Sequence, residues 1–246
     1  MKLVHAAAVS TTVIMVLGLI MIAPTFFRNA TPDSQLKVMF TFSVLEVDNV
    51  SKWCKELADL LTAENVKATV FFTGRFAEQH PECVKAFGNL VDIGSQTYSY
   101  VNLTSISDYD IQLEEVEKGK EAVDRAGNLY SRLFKAPYGS TDENIYSLLS
   151  HSGIVADFSY QFQYNVFQNG QFIKFDSITY NGSELSSEFL TSLPKTTKPL
   201  IIAFGPSTSI ARINEVMQSL KGTQVVFVNA SEIAGCKLTQ RGGSLA

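Results

Sequence analysis

Val38-Met39-Phe40-Thr41-Phe42, then VSKWCKELADLLTAE over residues 50–64, then ATVFFT over 68–73: this passage decides the fold. The first run is apolar without alternation, as for a strand covered on both faces. The middle stretch sets Trp53, Leu57, Leu60 and Leu61 on one face at helical spacing. The third run is again continuous and rich in aromatic and β-branched residues. Strand, helix and strand joined by a few residues make a βαβ unit, which requires parallel strands with the helix packed on a face.

The pattern continues in both directions from this unit. His80-Pro81 opens a short helix with Val84 and Phe87, and Leu90 to Gly94 is a third strand. Ser107 is the expected cap of a helix over 108–126. Arg132 to Lys135 and Gly153 to Tyr160 read as the fourth and fifth strands, with a helix from Thr141 to Ser152 between them. Residues 161–182 read as extended chain with a turn at Asn169-Gly170. A helix over Glu184 to Leu193, a strand over Pro199 to Phe204, a helix over Ile210 to Leu220, a strand over Gln224 to Val228 and a short helix over Ala230 to Ala234 complete the chain. The series predicts an α/β fold, a distorted (β/α) barrel of about seven parallel strands, over residues 36–246. Gly74 and Gly139 fall just past strand ends and read as turn residues. No G-x-G-x-x-G follows the first strand and there is no P-loop, so nucleotide binding has no support.

The chain has 246 residues, of which 46% are hydrophobic and 18% charged, with a net charge of -4. That is enough chain for one large core, and the acidic balance excludes a basic nucleic-acid surface. Residues 4–27 contain no Asp, Glu, Lys or Arg, which is long enough to span a bilayer. Residues 1–28 therefore read as an uncleaved signal anchor, with a cleaved signal peptide as the alternative, and 29–35 as a linker. Both readings place the bulk of the protein on the extracytoplasmic side, at a cell surface or cell-wall boundary. Asn-x-Ser/Thr sequons at Asn29, Asn49, Asn102, Asn181 and Asn229 agree with an exterior glycoprotein. Cys54 and Cys83, on consecutive predicted helices, are candidates for a disulfide that leaves Cys236 odd; three unpaired thiols is the competing reading.

The strand ends carry Thr41-Phe42-Ser43-Val44, Gln96-Thr97-Tyr98-Ser99-Tyr100 with Leu103-Thr104, Lys135-Ala136-Pro137-Tyr138-Gly139, and Ile201-Ile202-Ala203-Phe204-Gly205. In order and spacing this series resembles the NodB-homology domain of polysaccharide deacetylases, the family that includes chitin and peptidoglycan deacetylases. The family reads Thr-Phe-Asp-Asp-Gly, His-Thr-Tyr-Ser-His, Arg-Pro-Pro-Tyr-Gly and a late His-Asp at those places. The resemblance implies N-acetyl removal from an amino sugar, with an Asp and two His on a zinc-like ion, an Asp as base and a His as acid. This chain offers Val44, Gln96 and Tyr100 at the ligand positions, Ser43 at the base and Phe204 at the acid. Valine cannot ligate, and an amide or neutral phenol suits Zn²⁺ poorly.

The chain therefore reads as a degenerate member, with no cofactor of its own and no confident catalytic or metal residue. It is expected to bind chitin, another N-acetylated polysaccharide or a protein. Two alternatives stand beside this. One is an active deacetylase with a shifted site using Glu46 or Asp48; the other is a structural component of a membrane assembly. The expected ligand groove is aromatic: Tyr98, Tyr100, Lys135, Pro137, Tyr138, Asp157, Phe158 and Tyr160. Tyr100 and Phe204 are also expected to fill space left by the lost ligands. Asp157 reads first as a hydrogen-bonded structural carboxylate and second as a polar site residue.

Overall fold

The computed structural model describes residues 35–242. The expected anchor over 1–28, nearly all of the 29–35 linker and the Asn29 sequon lie outside them. Among the described residues no helix is long and apolar enough to cross a membrane.

In chain order the elements are β1 (Leu36–Val44), α1 (Val50–Ala63), β2 (Ala68–Phe72), α2 (Gly74–Gln79), α3 (Pro81–Ala86), β3 (Val91–Ser95), α4 (Tyr109–Gly127), β4 (Leu129–Ser131), β5 (Leu133–Phe134) and α5 (Glu143–His151). There follow β6 (Ala156–Asp157), β7 (Gln163–Gln168), β8 (Gln171–Asp176), β9 (Ile178–Asn181), α6 (Ser187–Thr191), β10 (Leu200–Phe204), α7 (Ile210–Lys221), β11 (Val225–Phe227), α8 (Ala230–Ala234) and β12 (Thr239–Arg241). One sheet runs in the order β8-β7-β6-β5-β3-β2-β1-β10-β9, with β11 also paired to β1. From β6 to β9 every pairing on this path is parallel. Its two edges, β8 and β9, are consecutive in the chain with Ser177 alone between them. That single-residue link brings the edges together and nearly closes the sheet into a barrel.

Two features depart from a simple parallel series. β7 and β8 form an antiparallel hairpin on β6, turning at Asn169 (φ 52°) and Gly170 (φ 85°). Consecutive positive φ values are what a tight two-residue hairpin turn demands, and Asn-Gly adopts them at least cost. The stretch read as one strand over Gly153 to Tyr160 keeps only Ala156–Asp157 in the ladder. Gly153 (φ 72°) still serves the turn from α5, and the chain beyond Asp157 turns back along the barrel rim. The cap of α4 is Asp108 rather than Ser107: its carboxylate accepts the Asp110 and Ile111 amides at 2.9 and 3.3 Å. Gly74 opens a helix rather than a turn. A Cβ there would lie 2.7 Å from the Gly119 Cα, so α2 and α4 cross at bare backbone.

The strands separate two environments. On β1, Val38, Phe40, Phe42 and Val44 face the helices and join one large cluster with Trp53, Leu57 and Leu61 of α1 and Val216 and Met217 of α7. Met39 faces the barrel interior with Phe71, Leu133, Phe158 and Ile201. Burying each large side chain of the outer layer contributes roughly 1.5–3 kcal/mol. Cys54 on α1 and Cys83 on α3 are disulfide-bonded, with Cα atoms 5.5 Å apart, and Cys236 is exposed and free. Closing a loop of this length stabilises by about 3–4 kcal/mol on chain-entropy grounds.

Candidate functional site

Above the apolar floor of the barrel the inward positions become small and polar: Thr41 and Ser43 on β1, Ala203 and Gly205 at the end of β10. The space so left is a cavity of about 360 Å³, walled by Tyr100, Lys135, Phe158, Tyr160 and Tyr180. Lys135 follows β5, yet its ammonium donates to Ser43 Oγ on β1 at 3.1 Å. It passes over the Phe71 ring, 5.9 Å from its centroid, so the bond bridges β2 and β3 across the curved interior. No carboxylate pairs with Lys135 among the described residues. Burial lowers its pKa to about 8. Water would solvate the ammonium better than this cavity does.

Tyr100 stands on left-handed backbone (φ 63°), and so does Tyr138 (φ 60°). Non-glycine residues pay roughly 1–3 kcal/mol for such a conformation. The two rings meet with centroids 5.4 Å apart. Tyr138 is 72% exposed, so this pair forms an aromatic ledge beside the opening. Burial raises the Tyr100 pKa.

Of the remaining motif and groove positions, Phe204 alone touches the cavity lining. Val44 is wholly buried in the outer cluster. Phe204 is there too: its ring stacks on Phe42 at 5.3 Å and meets Phe40 edge-on at 5.5 Å. Phe204 also borders the cavity, but strand alternation packs its ring into the outer cluster, so it edges the space rather than filling its centre. Gln96 is also buried, and its amide nitrogen donates to the carbonyls of Phe71 (3.2 Å) and Val44 (3.5 Å). It binds strand ends together and offers nothing to a ligand. Tyr98 lies on the outer surface instead of the groove: its hydroxyl donates to Glu78 at 2.9 Å and Lys118 sits 4.1 Å from its ring centroid. Pro137 is buried outside the cavity lining.

Asp157 is fully buried and also turned away from the cavity. It accepts the Ser159 amide at 3.0 Å, the Ser159 hydroxyl, and the Thr141 hydroxyl at 3.4 Å. Burial raises its pKa to about 6 despite these bonds. It is a rim-stapling carboxylate. Glu46 is exposed and lies 3.4 Å from His80 Nε2, whose Nδ1 meets Ser51 at 3.0 Å. Neither Glu46 nor Asp48 lines the cavity. Of the sequons, Asn49 is exposed, Asn102 is partly exposed, and Asn181 lines the cavity while its amide donates to Glu184 at 2.6 Å. Asn229 is 9% exposed and caps α8 in a capping box with Glu232, a poor place for a glycan.

The wall contains no His, Cys, Asp or Glu, and among the described residues no three such side chains cluster. Zinc takes imidazole, thiolate or carboxylate. The donors present, hydroxyls, the amides of Gln161 and Asn181 and an ammonium, do not fit it. Ser43 and Lys135 form a hydroxyl–amine contact, but Ser43 lies within a strand, without the strained elbow that exposes a serine nucleophile. Sequence reading missed Thr41, Thr179, Tyr180 and Asn181 as wall residues. For Thr41 the signal was present, two residues before Ser43; the others depend on β9 joining β10.

The sequence profile described as "Polysaccharide deacetylase" matches residues 31–156. The chain belongs to the polysaccharide deacetylase family. A peptidoglycan-N-acetylglucosamine deacetylase of Bacillus cereus is 34% identical over 90 residues, 36% of this chain and 32% of that protein. The match thus spans about a third of the curated relative. Among solved structures, a CE4 family pseudoenzyme from Bacillus anthracis superposes with a TM-score of 0.62 at 15% identity, covering 82% of this chain and 66% of that one. The Bc1960 peptidoglycan N-acetylglucosamine deacetylase gives 0.62 at 20% identity, covering 84% and 92%. Peptidoglycan deacetylase PdaC from Bacillus subtilis gives 0.60 at 15%, covering 82% and 92%. At these identities the likeness is one of fold. It shows a polysaccharide-deacetylase barrel that keeps its shape in enzymes and in a pseudoenzyme alike.

Proposed function

We propose that this polysaccharide deacetylase domain is catalytically silent and binds a glycan at the barrel mouth without hydrolysing it. The carrying observation is the cavity wall: an open, tyrosine-rich pocket with no His, Cys, Asp or Glu to hold zinc or to pair with Lys135 as acid and base. General acid–base catalysis contributes about 10²–10⁴-fold, and a metal-activated water adds to that. Tyr100 and Tyr138 supply ring faces for sugar stacking, on backbone held in a costly conformation. The glycan class that fits the family is an N-acetylated polysaccharide such as chitin or peptidoglycan.

The relatives support a fold that outlives its chemistry. The Bacillus anthracis neighbour is described as a pseudoenzyme, and one of its mutants as having restored enzymatic activity. Exterior placement is part of the proposal. It is supported by the uncharged run over 4–27 and by a disulfide of the kind that persists in oxidising compartments. The test is acetate release from N-acetylchitooligosaccharides by the purified full chain supplied with Zn²⁺ or Co²⁺, alongside direct binding of the same oligosaccharides. Binding without acetate release is expected. Turnover above the protein-free rate, or stoichiometric retention of metal, overturns the reading.

A further inference from the structure

The cavity has an excess of hydrogen-bond donors that its own walls do not satisfy. Thr41, 1% exposed, has no hydrogen-bond partner for Oγ1 among the described residues, and the buried Oγ1 of Thr179 has none either. Both residues line the cavity. They stand on the two strands that flank β10: Thr41 of β1 pairs with Ala203, and Thr179 of β9 pairs with Ile201. Lys135 carries three donor protons. Its one polar side-chain partner is Ser43 Oγ, which accepts and so keeps its own proton free to donate. An unsatisfied buried hydroxyl costs about 1–3 kcal/mol, and the partly buried Lys135 ammonium has no counter-ion among the described residues. Such groups persist where a ligand completes them.

The chemistry of the missing partner follows from this list. It must accept several hydrogen bonds at once and carry negative charge. A carboxylate has two oxygens with about four acceptor sites and meets an ammonium in a charge-assisted bond. We propose that the cavity between Ser43, Lys135, Thr41 and Thr179 is a carboxylate-binding site, for a small organic acid or for the carboxylate of an acidic sugar. The volume, about 360 Å³, admits either. The sugar form deepens the glycan-binding reading and rests on it; the small-acid form stands without it.

The other titratable groups facing Lys135 are tyrosines, Tyr100, Tyr160 and Tyr180. Asp157, beside the lining residue Phe158, is occupied by Ser159 and Thr141. Because burial brings Lys135 to about 8, a carboxylate binds the protonated cavity and loses affinity as Lys135 deprotonates. A single site with that pKa weakens about tenfold between pH 7 and pH 9.

The experiment titrates the full chain calorimetrically with acetate, D-glucuronate, D-glucose, inorganic phosphate and an N-acetylchitooligosaccharide. Acetate or glucuronate is expected to bind and glucose not. Glucuronate binding much tighter than acetate identifies an acidic sugar, and equal affinities identify a free acid. Lys135→Met is expected to weaken binding at least tenfold with an unchanged melting profile, and Lys135→Arg to retain most of it. Should the methionine variant misfold, the wild-type pH profile and the glucuronate–glucose contrast still decide. Carboxylates failing to bind, binding equally to Lys135→Met, or yielding to phosphate as the preferred anion overturn the proposal. Chitooligosaccharide binding without carboxylate binding overturns this site and leaves the glycan reading. The reverse result leaves the site and overturns that reading.

Discussion

The two faces of β1 and β10 differ where these strands end. On the helix-facing side, Val44 and the Phe204 ring are core, packed with Phe40, Phe42 and the α1 layer. On the inward side, Ser43, Thr41, Ala203 and Gly205 leave an open cavity with unsatisfied hydroxyls and a lysine. Close packing is the default of protein interiors, and a cavity of no use is readily filled by larger apolar side chains. The outer face follows that default and the inner face does not, which is the contrast expected of a mouth that takes a ligand, as proposed above.

The contrast can be broken experimentally. The largest effect is expected from Phe204→Ala, which removes a ring that is 2% exposed and touches two others. A loss of about 3–5 kcal/mol in urea unfolding is expected. A loss below 1 kcal/mol would mean that Phe204 is not core.

Asp157 tests the partition next, as a carboxylate at a strand end that nevertheless turns from the cavity. Burial holds its folded pKa above the unfolded value of 3.8, at about 6. The native state therefore binds more protons in that interval, and stability falls as pH rises from about 4 to about 6. The contribution is on the order of 3 kcal/mol. Urea midpoints across this range should show a shallower slope for Asp157→Asn than for wild type, without change in ligand binding. Equal slopes would remove Asp157 from the buried set.

The smallest stability effect is expected at Tyr138, which is 72% exposed at φ 60°. Tyr138→Gly relieves the left-handed backbone but loses a ring contact and adds chain entropy, so the change should stay within about 1 kcal/mol. Oligosaccharide affinity should fall several-fold in the same variant. An unaffected affinity would show that the aromatic ledge takes no part in binding.

Much of the fold was legible because its signal is local. Continuous apolar runs marked β1, β2 and β10, helical spacing marked α1 and α7, and Asn169-Gly170 marked the hairpin. What escaped was pairing between distant segments: β9 beside β10, and β12 of Thr239–Arg241 antiparallel to β4. Short edge strands carry little periodicity, and their partners are chosen by the closed sheet. At the site, Ser43, Tyr100 and Lys135 were found from motif positions. Tyr98 and Pro137 fall outside the groove, and Asp157 takes its structural reading, since a strand end does not announce which way its side chains turn.

The sequence by itself determined the family, the βα alternation and the absence of metal ligands at the motif positions, because these depend on residue identity and order alone. Only the tertiary structure decided that Val44 and Phe204 point outward, that Gln96 is occupied by backbone carbonyls, and that Lys135 reaches Ser43 across two intervening strands. Those facts follow from strand alternation and from the curvature of a nearly closed sheet, which carries a side chain on β5 over the barrel interior to β1. No spacing along the chain encodes that crossing.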